Sequence, residues 1–424
     1  MALFILVLLL AQVLVLSRME QYASITPFCA LAFPYAAVVL FAYWAGPMLG
    51  FVPFAPGSLV VWMCGLLVFW SAGFVLLRVV IGSELLGYVS RGFTAYFRGE
   101  DASTTLTTTL AILVVPLFAI GLLKSVAAAG GWAALWSPEF KSAYAHGFYG
   151  HIRLLCEPLE VLLIGTASRK RKLQITLACI LAVFFLVGQV KGLVLQPLIA
   201  GFFYRFMRGR ASLSLKSVGV VILCGILIFG AVYLGGMSIR DASFPTSSDT
   251  YLFIARHFSN YLMAGVLGFS EVFRTGTNQV GGSPAAIFTP ALNVYNLVSG
   301  GINMKPWGST SDPGIQIDLL TDDPNANTNV YSFFGTLYIY LGAVGASIYA
   351  IIAGLLCYTL WSLAGWSRNE WFLTLYCLIA AELFFGYFEL YFWLLDPYEV
   401  ALYVGILALC SSLIRRPLAV NRTI

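Results

Sequence analysis

The feature that most constrains this chain is an apolar run of about 20 residues with few charges, which recurs along the whole length. Such a run is long enough to cross the hydrocarbon core of a bilayer as a helix. Only 10% of the 424 residues are charged and the mean hydropathy is +0.86, whereas soluble domains carry roughly a quarter charged residues. The sequence therefore predicts an all-α, polytopic integral membrane protein and excludes a soluble domain.

The apolar runs predict about eleven transmembrane helices. We expect three regions: the first eight spans in residues 1–237, a large loop containing short helices in residues 238–330, and the remaining spans with a tail in residues 331–424. The loop is too long to be a simple connection. The expected spans lie at residues 2–17, 27–46, 58–82, 105–124, 151–167, 173–189, 192–207, 217–237, 331–360, 371–394 and 399–414.

Basic residues indicate which helix ends face the cytoplasm. The strongest cluster, Arg169–Lys172, is expected there under the positive-inside rule. Counting spans from this cluster places Arg208, Arg210 and Arg368 on the same side, together with the basic tail. The N-terminus, the segment 125–150 and the loop 238–330 are then expected outside.

The sequence indicates no cofactor or metal site. The eight cysteines nearly all fall in apolar runs without paired spacing, so we expect them to act as small apolar residues. The acidic residues of the loop do not have the spacing of a calcium loop. No phosphate-binding glycine loop, dinucleotide fingerprint or metalloprotease motif is present. The basic clusters are interpreted as cytoplasmic loops and not as a nucleic-acid surface.

Charged residues at the predicted outer ends of spans are candidates for a binding site. Lys191 lies in the short turn GQVKG at 188–192, where it would either contact an anion or snorkel to the headgroups. Arg153 and Glu157 are four residues apart and would share a helix face, as part of a site or as a structural ion pair. Glu160 lies one turn deeper, where a carboxylate is costly unless it is wet or partnered.

The large loop supplies further candidates. Arg240, Arg256 and Arg274 carry guanidinium groups that suit phosphate or pyrophosphate, unless they are simply solvated. His257 is either a general base or a polar loop residue. Residues 251–273 have apolar residues at helical spacing and predict an amphipathic helix.

A pair of carboxylates lies in the expected tenth span. Glu382 and Glu389 are seven residues apart, which would place them on one face of a continuous helix. With Tyr387 and Tyr391 they would line a polar cavity, or hold helices together through hydrogen bonds.

Four segments resemble the O-antigen polymerase (Wzy) family of oligosaccharide repeat-unit polymerases. The resemblance covers about 180 to 350, and the N-terminal half matches only in hydropathy. The segments are GQVKG at 188–192, RHFSNYLMAGVLGF at 256–269, FTPALNVYNLVSG at 288–300 and TNVYSFFGTLYIYLGAVGA at 328–346.

The resemblance implies a metal-independent, cofactor-free glycosyltransferase of the bacterial inner membrane. Its substrates would be undecaprenyl-pyrophosphate-linked oligosaccharides, which it would polymerise on the periplasmic side for surface polysaccharide such as lipopolysaccharide. A chain-length regulator of the Wzz type and a flippase of the Wzx type are the implied protein partners, beside membrane lipid.

The same resemblance suggests roles for the candidate residues. Pyrophosphate or glycan would be bound by Arg153, Lys191, Arg240, Arg256, Arg274 and Tyr331, and the catalytic candidates are His257 and Glu157. Family members often carry arginine where this chain has Lys191, so bidentate contact there is not implied. Loop aromatic residues, including Tyr331, would stack on sugars or anchor the loop at the headgroups.

Three other functions fit the sequence. An O-antigen ligase would use the same chemistry to transfer glycan to a lipid A core. A flippase or secondary transporter for lipid-linked oligosaccharide should show ionisable residues deep in several spans. A structural assembly subunit would not need the external cations.

Overall fold

A computed structural model of the chain describes residues 2–20, 25–82, 89, 91–93, 100–135, 137–144, 147–167, 171–188, 191–212, 214, 219, 223, 225, 230, 248–276, 283–300, 317–320 and 327–420. Regular structure in these ranges is almost all helical, which confirms the predicted all-α class. The β structure there consists of an antiparallel pair of two-residue strands, β1 (Ile317–Asp318) and β2 (Asn327–Thr328), and an isolated bridge between Phe51 and Leu320.

The helices follow the apolar runs of the sequence. They are α1 Ala2–Glu20, α2 Pro27–Ala45, α3 Pro56–Trp70, α4 Leu76–Ile81, α5 Glu100–Ala128, α6 Pro138–Ala143, α7 Phe148–Thr166, α8 Lys172–Val187, α9 Lys191–Met207, α10 Ser248–Thr275, α11 Thr289–Gly300, α12 Phe333–Ser367, α13 Glu370–Phe384 and α14 Asp396–Val420. One π turn, Ser71–Val75, joins α3 to α4.

Six helical segments in the described part of the chain are long and apolar enough to cross a membrane. The expected run at 217–237 lies almost entirely outside the described residues. The length and composition of the six segments are those of a membrane protein. They are Ala2–Glu20, Pro27–Ala45, Pro56–Val80, Ser103–Ala128, Phe333–Ser367 and Glu370–Tyr387.

The chain divides into two compact units. The first contains residues 1–87, 255–361 and 382–398, and the second contains residues 88–254, 362–381 and 399–424.

An aromatic core holds the first unit together around Trp62, which is fully buried. Its ring stacks on Tyr35 with a centroid distance of 3.3 Å and meets the edge of Phe334 at 4.8 Å. The indole N–H donates to Ser332 Oγ at 2.9 Å, so the polar tip of the tryptophan is also satisfied. This contact fixes the start of α12 against α2 and α3.

The second unit is built around α7, which packs against α5, α8 and α9. Glycines allow the close approach of α9: a Cβ at Gly165 would lie 2.2 Å from the Tyr204 ring. Arginines then satisfy the carbonyl groups at the C-terminus of α7. Arg205 donates to the oxygens of Ile164 and Ala167 at 3.1 and 3.0 Å, and Arg210 donates to Gly165 at 3.1 Å.

Basic side chains gather at this end of the second unit. Arg171 donates to Thr104 Oγ1 at 3.4 Å, near the start of α5. Arg208 donates to the Phe93 carbonyl at 3.0 Å and lies 4.0 Å from Glu370. These contacts bring together three loops that the positive-inside rule predicts on one side of the membrane.

The helix α12 is interrupted, although its sequence reads as one apolar run. Gly342 has φ 66° and ψ −178°, a conformation essentially restricted to glycine. The break falls in the L-G-x-x-G part of the segment that resembles the polymerase family. The expected span 331–360 is therefore two helical pieces joined at Gly342.

Replacing Gly342 with alanine is expected to destabilise the protein. No atom lies within 4 Å of the added Cβ, so the cost comes from backbone strain, about 1–3 kcal/mol. The measurement is the thermal unfolding midpoint of the purified protein in detergent. Gly405→Ala is the control, because a Cβ at Gly405 also meets open space and its φ is not positive. Equal midpoints for the two variants would contradict the interruption of α12.

Candidate functional site

One group of candidate residues lies on α10, which confirms that the loop contains a long amphipathic helix. Arg256 and His257 are half-buried on this helix, and the His257 ring lies 5.8 Å from the ring of Tyr261. Asn260 is 7% exposed, and its side-chain oxygen accepts no hydrogen bond from the described residues. Because residues three and four apart share a face, Arg256 and His257 lie on the side of α10 that buries Asn260.

Further along the helix, α10 packs closely against backbone of other segments. A Cβ at Gly265 would lie 2.0 Å from the Phe388 carbonyl oxygen, and one at Gly268 would lie 2.6 Å from that of Val330. Ser332 N–H donates to the Phe388 carbonyl at 3.0 Å. The two glycines thus let α10 contact residues 330–332, which precede α12, and residues 387–388, which follow α13. We call the place where these two segments meet the junction.

Tyr331 lies at this junction. It is 2% exposed, and burial raises the pKa of its phenol well above the usual value, so it is a neutral hydroxyl group. Its Cδ1 atom is 3.6 Å from the position of a Cβ at Gly268. Gly268 is about 18 Å along the helix axis from Arg256. Tyr331 therefore contacts the same helix as Arg256 and His257, but not the same turn.

Arg274 is paired within its own helix. Its Nε donates to Glu271 Oε2 at 2.9 Å, and a second bond joins Nη2 to Glu271 Oε1. The Arg274 side chain is 57% exposed, whereas that of Glu271 is largely buried. An incoming anion would have to compete with this carboxylate.

A separate group of candidate residues lies on α7 in the second unit. Arg153 Nη1 is 3.5 Å from Glu157 Oε1, and each side chain is only 7% exposed. The predicted pairing of these two residues is confirmed. A buried pair of this kind is expensive to form and expensive to break, because either charge alone would be left in an apolar environment.

Glu160 lies one turn further along α7 and is fully buried. Neither carboxylate oxygen has a hydrogen-bond partner among the described residues. The thiol of Cys156 is within electrostatic range of Glu160, Glu157 and Arg153. Arg153, Glu157 and Glu160 thus place one cation and two carboxyl groups on neighbouring turns of α7 inside the second unit.

The different environments of the two carboxyl groups give a testable contrast. We expect Glu157→Gln to lower the thermal unfolding midpoint strongly, because it leaves Arg153 buried without its carboxylate, at a cost of about 3–5 kcal/mol. Glu160→Gln should change the midpoint much less, since no described partner is lost. The measurement is thermal unfolding in detergent at one pH. A larger loss for Glu160→Gln would contradict this description of α7.

Two predicted site residues receive no structural test. Lys191 is the first residue of α9, but its side chain lies outside the described residues, as does the whole of Arg240. Gly188 begins the same turn as Lys191. The structure accounts for glycine at this position, because a Cβ there would lie 2.3 Å from the Tyr144 ring.

A contact at the start of α7 was not predicted from the sequence. His151 Nδ1 lies 2.6 Å from Glu399 Oε1, and the Tyr403 hydroxyl donates to the same oxygen. The His151 side chain is 60% exposed. A carboxylate on Nδ1 fixes the ring tautomer and leaves Nε2 as a proton acceptor. The sequence separation of 248 residues leaves no local sequence signal for this pair.

Metal-ligating side chains do not gather in the described ranges. No three histidine, cysteine, aspartate or glutamate residues there are placed so that they could hold a metal ion.

Comparison with known proteins gives one family. No curated protein and no solved structure matches the chain. One family model, described as a family of unknown function (DUF6337), matches residues 50–416 and so covers α10, the junction at 387–388 and α7. The chain therefore belongs to the DUF6337 family of unknown function.

Proposed function

We propose that the chain is a bacterial inner-membrane glycosyltransferase that polymerises undecaprenyl-pyrophosphate-linked repeat units on the periplasmic side. The observation that carries the proposal is the arrangement of α10. This helix belongs to the segment that resembles the repeat-unit polymerases. It holds Arg256 and His257 half-buried beside the buried Asn260, and its later turns pack against residues 330 and 387–388. A merely connecting loop would not need a long helix with a buried polar face.

The proposed reaction would need a cation beside the leaving pyrophosphate and a base beside the acceptor hydroxyl. An acceptor hydroxyl oxygen forms a bond to the anomeric carbon of the growing glycan as the bond from that carbon to pyrophosphate breaks. The hydroxyl proton passes to a base, and undecaprenyl pyrophosphate leaves with its electron pair. Arg256 would stabilise the charge that develops on the leaving pyrophosphate.

Two imidazoles are candidates for the base. His257 shares a helix with Arg256, whereas His151 has its tautomer fixed by Glu399. We assign the base to His257 because it lies beside the proposed pyrophosphate contact. The expected result is that His257→Ala removes the acidic limb of the pH profile of polymerisation, while His151→Ala keeps it. If His151→Ala removed the acidic limb and His257→Ala kept it, the base would be His151.

The proposal includes the topology of about eleven spans with residues 238–330 outside. The gathering of Arg171, Arg208 and Arg210 at one end of the second unit supports this orientation. We expect an alkaline phosphatase fusion at Gly282 to be active and a green fluorescent protein fusion at the same site to be dark. A fluorescent fusion would overturn the topology, with a fusion at Arg169 as the cytoplasmic control.

The function is tested with purified chain in proteoliposomes that contain a lipid-linked repeat unit. A polymerase converts it to a ladder of longer lipid-linked glycans without any added acceptor. A ligase makes no ladder and instead transfers glycan only when a lipid A core is supplied. Absence of both products would contradict a glycosyltransferase.

A transporter is the second candidate, and the observation in its favour is Glu160. A fully buried carboxyl group without a described partner is a feature of proton-coupled carriers. A flippase would move lipid-linked oligosaccharide across the proteoliposome membrane without lengthening it, and Glu160→Gln would stop this movement. Ladder formation without transport would exclude this candidate.

A further inference from the structure

A group of polar and aromatic side chains in the first unit has no part in the function proposed above. We call it the aromatic–carboxylate cluster. Glu382 interacts electrostatically with three tyrosines of the group, and Glu389 interacts with one of them. Trp393 Nε1–H donates to Glu389 at 3.2 Å. The members are Tyr349, Glu382, Glu389, Tyr391, Trp393 and Tyr398.

The chain reaches this arrangement by leaving the helix that was expected at 371–394. The helix α13 ends at Phe384, and 3₁₀ turns at Phe385–Tyr387 and Tyr391–Trp393 follow it. The prediction that Glu382 and Glu389 lie on one face of a continuous helix is therefore wrong. The turns leave both Glu382 and Glu389 within electrostatic range of Tyr391. The bond from Ser332 N–H to the Phe388 carbonyl holds the chain in this path.

The described residues do not fully enclose the cluster. Each of its six members keeps part of its surface accessible, and Tyr398 is 51% exposed. The surrounding protein nevertheless desolvates Glu389 and raises its pKa to about 7, an effect that the hydrogen bond from Trp393 partly offsets. Accessible but desolvated polar groups beside aromatic rings are typical of a ligand site.

The chemistry of the aromatic–carboxylate cluster selects among ligands. Aromatic faces offer apolar contact to the C–H face of a sugar ring, and carboxyl and phenol groups accept or donate hydrogen bonds to its hydroxyls. A pyrophosphate would be repelled by the two carboxyl groups. An aromatic belt at the headgroups would account for the rings but not for carboxyl groups placed between them.

We propose that the aromatic–carboxylate cluster is a sugar-binding subsite, which takes a neutral or amino sugar of the glycan and not its pyrophosphate. The subsite rests on the proposed function for the identity of the glycan. It lies on the chain segment whose Tyr387 and Phe388 carbonyls contact Gly265 of α10. Gly265 is about 12 Å along the helix axis from His257, so the subsite would hold sugar units at a distance from the reacting bond.

The test is binding of the free repeat-unit oligosaccharide, released from its carrier lipid, to the purified full chain in nanodiscs. We expect Trp393→Ala and Glu389→Gln each to weaken binding by about tenfold, and to raise KM in the ladder assay more than they lower kcat. Trp44→Ala is the matched control, because Trp44 is an exposed tryptophan of the same unit, 68% accessible and outside the cluster. Inorganic pyrophosphate is expected not to displace the oligosaccharide.

The outcomes separate this inference from the proposed function. Unchanged binding in both cluster variants, with a normal ladder from the wild type, would overturn the subsite and leave the polymerase standing. Displacement by pyrophosphate alone would also overturn it. A wild type that neither binds the oligosaccharide nor forms a ladder would overturn both. Thermal unfolding of each variant shows whether it is folded, and Trp393→Phe replaces Trp393→Ala if the latter is not.

Discussion

Replacing Arg256 with alanine is expected to stop elongation of the surface glycan while the protein stays in the membrane at its normal amount. Loss of a charge-assisted contact to a leaving pyrophosphate should reduce the rate by about 10²–10³-fold. Arg256 is half-buried on the polar face of α10, so it is held in place and not merely solvated. The measurement is the length of the surface glycan on a gel, beside immunoblots of the membrane fraction.

The control is Arg18→Ala, which removes an exposed arginine at the end of α1 in the same unit. It should leave glycan length unchanged. Arg256→Lys distinguishes guanidinium geometry from charge, because lysine cannot make the two-pronged contact. A normal glycan ladder in Arg256→Ala would remove Arg256 from the site.

Replacing Gly265 with valine should both destabilise the protein and disrupt the candidate site. A Cβ at this position would lie 2.0 Å from the Phe388 oxygen and 2.5 Å from the Tyr387 oxygen, both of which are backbone atoms. Since backbone cannot rotate away, α10 must separate from the segment after α13. Overpacking of this kind costs about 1–3 kcal/mol and sometimes more.

We expect Gly265→Val to show a large fall in the thermal unfolding midpoint and a loss of glycan ladder, because α10 carries Arg256 and His257. Gly405→Ala is the control, and it should be neutral or slightly stabilising, since alanine is the better helix former. A midpoint for Gly265→Val equal to that of the wild type would show that α10 does not pack against residues 387–388.

Apolar run length was enough to predict where most helices lie. The expected spans 2–17 and 27–46 correspond to α1 and α2 within a few residues, because composition alone decides whether a segment can span a bilayer. The same signal could not show where helices break. The residues around Phe388 and Gly342 are as apolar as those in a continuous span, but a tertiary hydrogen bond and a glycine-only backbone conformation interrupt the helices.

The contacts of the candidate residues were predictable from the sequence where they are local. The Arg153–Glu157 pair follows from four-residue spacing, and the Arg274–Glu271 pair could have been found from three-residue spacing in the same way. His151 and Glu399 are too far apart in sequence for any such argument. The close contact between Gly265 and residues 387–388 could not be predicted either, because a glycine in a helical sequence does not indicate which backbone atoms it will contact.

The most direct test of the polymerase account is the length distribution of surface glycan in a strain that lacks this chain. The account predicts glycan limited to one repeat unit on its normal acceptor. Glycan of normal length would contradict it. Long polymer that accumulates on the carrier lipid, with none on the acceptor, would also contradict it and would identify the ligase.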